Sequence, residues 1–200
     1  MSATTPDVID HLLGIAPGSR LDAIRAQRPA ARENAQKTYL ALFAPDLPGD
    51  VTPQERFSVA AFVARLHGDG EVSAFYASQL AAHAGDTGLA EAIAAEAAQA
   101  AAHGPYGSYP PGPLSVEDTA GPLHHVAAAH RHVLGARLAA AIEHAHLLVL
   151  HPRDASPQAL QALLDAGWST TGIVTLSQLV AFLSFQFRVI AGLRVLAASA

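Results

Sequence analysis

The stretch FVARLHGDGEVSAFYASQL, residues 62–80, reads as the end of one helix, a glycine-bracketed turn and the start of a second helix. The turn carries His67, Asp69 and Glu71, three groups able to bind a metal or move a proton, and equally able to form a solvated corner. Upstream, TPQERFSVAAFVARLHG supplies Thr52 as N-cap, Pro53 at the first helical position and Glu55 at the third, where its side chain can reach back to the cap. Phe57, Ala60, Ala61, Ala64 and Leu66 follow at apolar-face spacing, and Gly68 stops the helix. Downstream, EVSAFYASQLAAHAG runs to a second stop at Gly85. The pattern is that of an antiparallel helix hairpin.

Helical signals recur along the rest of the chain, and alternating β-branched runs are almost absent. PAARENAQKTYLALF opens with Pro29 and runs to about Phe43; TGLAEAIAAEAAQAAAHG is alanine-rich; a further helix covers about His124 to Leu150. SPQALQALLDAG is capped by Ser156 and stopped by Gly167. In the last and longest helix, Ile173, Leu176, Leu179, Val180, Leu183, Phe187 and Ile190 repeat at helical spacing. The expectation is an all-α fold of seven to nine helices, one domain over 1–200, with a helical half at 1–104, a loop at 105–122 holding five prolines, and a second helical half at 123–200.

The chain has 200 residues, a formal charge of −5 and only 12 basic residues, scattered rather than striped, which excludes nucleic acid as an expected partner. Its N-terminus lacks a signal-peptide pattern, and the apolar C-terminal stretch contains Gln178, Gln186, Arg188 and Arg194. A buried core helix is therefore expected there instead of a membrane span, and the location is expected to be cytoplasmic. An arginine such as Arg188, deep in an apolar helix, calls for a buried partner.

Cysteine is absent, which removes disulfides, thiolate nucleophiles, redox CxxC chemistry and sulfur-ligated zinc together. Nucleophile-elbow and phosphate-cradling glycine motifs are also missing, so no cofactor is expected. Eleven histidines bunch around 124–132 and 144–151. Their same-face pairs, His125 with His132 and His144 with His151, lie about 10 Å apart on a helix, so no metal site is expected. The acidic pairs Glu91/Glu96 and Glu117/Asp118 read as solvated.

Two segments together resemble the alkylhydroperoxidase AhpD and carboxymuconolactone decarboxylase (CMD) family. ERFSVAAFVARLHGDGEVSAFYAS is similar to its core helix–turn–helix, and DASPQALQALLDAGWSTTGIVTLSQLVAFLSFQFRVIAGLRVL to its closing segment, with Phe185, Gln186, Arg188, Gly192 and Leu193 matching in order. The resemblance implies an AhpD-like fold with a central hairpin and a long C-terminal core helix. It also implies a homo-oligomer, for which the segment from about Thr87 to Val126 is the expected contact. On the family's pattern, Asp69 and Val72 stand where two redox cysteines would be, Phe75 or Tyr76 where a histidine would be, and Phe57 at the relay glutamate. Aspartate and valine cannot reduce a peroxide.

The resemblance is closest to a cysteine-less subgroup that partners a Cys-containing AhpD-like protein. A catalytically silent subunit or binding partner of a peroxidase-related system is therefore the leading expectation. The alternatives are a cofactor-independent, decarboxylase-like lyase acting on a small organic acid and, by family analogy alone, an antioxidant alkylhydroperoxidase. The candidate catalytic residues are His67, Asp69 and Glu55. The candidate substrate-binding residues are Arg188, Tyr76 and Gln186. The lyase reading would place His67 as acid and Arg188 as carboxylate anchor.

Overall fold

The computed structural model describes residues 6–85 and 87–199. Among these, nine α-helices follow one another: α1 Val8–Leu13, α2 Arg20–Ala26, α3 Pro29–Phe43, α4 Pro53–Leu66, α5 Gly70–Ala84, α6 Thr87–Gln99, α7 Ala128–Leu150, α8 Pro157–Asp165 and α9 Thr170–Ala198. The only β pairing among the described residues is an isolated bridge between Gly107 and Thr119. The fold is all-α.

The hairpin forms as its capping residues dictate. Thr52 and Glu55 close a reciprocal capping box at the start of α4. At the far end Gly68 takes a left-handed φ of 73°, which turns the chain so that Asp69 can cap α5 by accepting from Val72 N at 3.1 Å. The helix surrounded on all sides is α4, packed by α5, α6, α7 and α9, with every residue from Arg56 to Ala64 buried. Small side chains make this enclosure possible: Ala60, Ala61 and Ala64 let four neighbours approach. The long helix α9 buries one face instead, through Ile173, Leu176, Leu179, Val180, Leu183, Phe187 and Ile190. The most central helix is thus α4, and the C-terminal helix packs against it through its apolar face.

Both α7 and α9 are long and apolar enough to cross a membrane, and 50% and 44% of their most apolar windows are buried within the chain. The helix expected from His124 begins at Ala128 and breaks at Gly135, whose φ of 68° and ψ of 167° leave the helical range. A glycine is what allows that break without a Cβ clash.

Residues 100–127 form a strap folded back on its own chain. Tyr106 N donates to Leu150 O at 2.6 Å, Ser108 N to Asp154 Oδ1 at 3.1 Å, and Arg153 Nη1 to Glu117 O at 2.9 Å. The Arg153 guanidinium also stacks on Tyr109 at 4.1 Å. The crossing at Gly121 is so close that a Cβ there would lie 2.2 Å from the Tyr106 ring, so only glycine fits.

Candidate functional site

Where α4 turns into α5, the His67 imidazole lies against the Phe187 ring of α9, centroids 4.9 Å apart, with Nε2 3.5 Å from Ser184 Oγ. Burial, with the nearby Arg188 guanidinium adding to it, lowers the His67 pKa from its ordinary 6.5 to about 4. The ring is therefore neutral at pH 7.

His67 and Arg188 stand between two clefts. One, about 530 Å³, is lined by the turn residues 67–71 and by Phe187, Arg188, Ala191 and Arg194 of α9. The other, about 740 Å³, runs between α9, the end of α7 and the start of the strap, and its wall includes Leu66, Pro105, Leu148 and Val180.

In the first cleft Arg194 reaches back across the turn to ion-pair with Asp69, and its Nη2 lies 2.6 Å from Glu71 Oε2. Asp69 is thus occupied twice, as helix cap and as counter-ion. Arg188 is not buried, contrary to the expectation of a buried salt bridge at this position; it is exposed, and its Nη1 donates to Ser184 O at 3.2 Å. No ion pair of Arg188 occurs among the described residues, which leaves its charge facing both clefts.

The structure separates the other candidates from this place. Glu55 sits twelve residues before His67 on one helix, about 18 Å away along the axis. There its Oε1 holds Arg137 Nε at 2.6 Å. Tyr76 and Gln186 meet each other, Tyr76 Oη donating to Gln186 Oε1 at 2.6 Å, but both are fully buried and open onto neither cleft. Burial raises the Tyr76 pKa well above 10. At the remaining positions of the family's pattern, Val72 is wholly buried and Phe57 is stacked between Phe43 and His83, at 5.1 and 4.5 Å. The space between the hairpin helices is filled.

The truly buried cations are elsewhere. Arg56 donates to Val51 O at 3.0 Å, Leu42 O at 2.7 Å and Pro48 O at 2.8 Å, closing the C-terminal end of α3. Arg25 sits between Asp7 and Asp10 and ties α2 to α1. Neither was singled out in the sequence, because nothing local marks an arginine whose partners are distant carbonyls.

Glu96 also departs from expectation. It is fully buried, not solvated, accepting from Ala127 N at 3.1 Å and from His130 Nδ1. His124 Nε2 lies 2.9 Å from its other oxygen, at contact distance but without hydrogen-bond alignment. The histidines therefore converge from different elements and not along one helix face. Among the described residues no group of three or more histidine or carboxylate side chains is arranged to hold a metal ion. No protein family, curated protein or solved structure matches this chain.

Proposed function

We propose that this chain is a non-redox, catalytically silent binding subunit, with the place between His67 and Arg188 as its ligand site and a small organic acid as the ligand. The observation that carries the reading is the pairing of an exposed, uncompensated Arg188 with a neutral, half-buried His67 at the junction of two clefts. A carboxylate there would gain a guanidinium partner and, from His67, a neutral hydrogen-bond donor. Arg194 does not compete for it, since Asp69 and Glu71 already neutralise that side chain.

The lyase alternative needs His67 to deliver a proton. With a pKa of about 4, roughly one ring in a thousand carries that proton at pH 7. The geometry therefore favours binding over proton transfer. The lack of any cysteine supports the absence of thiol peroxidase activity in the isolated chain. A Cys-containing AhpD-like protein as partner, and a homo-oligomer formed through 87–126, belong to the same proposal and rest on the resemblance.

The test is a thermal-shift screen with small mono- and dicarboxylic acids, since ligand binding raises the midpoint by mass action. A saturable stabilisation that Arg188→Gln abolishes is the expected result. No shift with any acid, or an equal shift in the variant, overturns the reading.

A further inference from the structure

His146 lies on the inward face of α7, 2% exposed. Two further imidazoles flank it. His124, from the end of the strap, lies at a ring separation of 5.5 Å, and His151, just after α7, at 5.8 Å. His151 touches the strap twice, its Nε2 donating to Pro122 O at 2.9 Å and its ring lying 5.2 Å from that of Tyr106. Three buried histidines in a row thus meet one 28-residue segment near both its ends, at Tyr106 and at Pro122 and His124.

We propose that residues 100–127 are an acid-released strap, detached when this histidine row becomes charged, and that its release opens the 740 Å³ cleft beside His67. The cleft's outer wall is the strap itself, at Ala102, His103, Gly104 and Pro105. The inference holds whether or not that cleft binds an organic acid.

The charge balance around the row is one-sided. Facing it from α6 is Glu96, the one buried carboxylate among the described residues, which already accepts from Ala127 N and His130. From α7 come His130, His144 and Glu143; Glu143 is partly exposed, taken by Arg131 Nη2 at 2.6 Å and Val126 N at 2.9 Å. The strap adds His125, 4.0 Å from Glu143, and the segment after α7 adds Asp154, bonded to His151 Nδ1 at 3.0 Å. From α4 the Phe62 ring lies 5.8 Å from that of His124. Each flanking ring thus has a carboxylate beside it, Glu96 Oε2 2.9 Å from His124 Nε2 and Asp154 at His151, whereas no ion pair of His146 occurs among the described residues.

Burial first, then repulsion from His124 and His151, lowers the His146 pKa from 6.5 to about 4, and burial lowers those of His124 and His144 in the same direction. A histidine whose folded value is depressed stabilises the closed strap above pH 6.5, and that contribution drains away as the pH falls toward 4. For His146 alone, 6.5 in the open strap against about 4 in the closed one makes opening roughly thirtyfold easier at pH 5.0 than at pH 7.5.

Because the chain has no cysteine, one introduced thiol is a unique reporter. Val126→Cys reports on the strap and Ala61→Cys, in α4, on global opening; both sites are buried. Each is labelled with a disulfide reagent active at acid pH, and the rate is divided by that of the same variant in denaturant at the same pH. The expected result is a roughly thirtyfold rise in the ratio at position 126 between pH 7.5 and 5.0, a ratio at 126 well above that at 61 at both pH values, and loss of most of the rise at 126 in His146→Gln, which stays neutral. An unchanged ratio at 126, a ratio at 126 no higher than that at 61, or an undiminished rise in His146→Gln overturns the proposal. Should His146→Gln fail to fold, the 126-against-61 comparison decides.

Discussion

Tyr76 and Gln186 join α5 to α9 through a single hydrogen bond of 2.6 Å between two side chains with no solvent exposure. The Gln186 Nε2 has no partner, so the pair is already one bond short of satisfied. Tyr76→Phe would strip Gln186 of its remaining partner and lower stability by about 1–3 kcal/mol. Adding Gln186→Leu should recover most of the loss, because no stranded amide remains. A double-mutant cycle from urea denaturation measures both.

Asp69 does two jobs, capping α5 and pairing with Arg194. Asp69→Asn keeps the cap and removes the charge; Asp69→Ala removes both. The alanine variant should lose about 0.5–2 kcal/mol, and the asparagine variant clearly less, because the cap contributes more than a half-exposed ion pair. Equal losses in chemical denaturation would show that the ion pair dominates.

Acid should weaken the fold through its buried imidazoles. His67, His124, His144 and His146 all have folded pKa values below 6.5, so each contributes stability that is complete above that pH and declines as the pH falls. The denaturant midpoint should therefore drop between pH 7 and pH 4.5. His67→Gln, which leaves a neutral group in place, should make that drop shallower. A midpoint that holds steady or rises toward pH 4.5 contradicts the assignment of these rings as buried and neutral.

The strap leaves Val116 at 88%, Leu123 at 63% and Leu114 at 52% exposure, an apolar edge on the segment proposed as an oligomer contact. Light scattering at pH 8 should give a multiple of 20.7 kDa, and Val116→Lys should shift the mass toward that of one chain. A single-chain mass for the unmodified protein ends the oligomer proposal.

The hairpin, its cap at Thr52, the stops at Gly68 and Gly85 and the apolar stripe of α9 were legible in the sequence. Each is a local device, in which the residues that decide the backbone lie within four positions of one another. The missing thiols were legible for the same reason: a residue type that is absent from the chain is absent from every site.

What only the tertiary structure decided is where the charges lie. Arg188 sits in an apolar run yet faces outward; Arg56 sits at a helix start yet is buried against three carbonyls; Glu96 sits in an alanine-rich helix yet is sealed among histidines. Glu55 and His67 lie on one helix yet at opposite ends of it, while Asp69 finds Arg194 at a separation of 125 residues. Burial and ion pairing depend on which faces of distant helices meet. Periodicity determines a helix's own faces, but the direction from which its neighbours approach is set by close packing around α4.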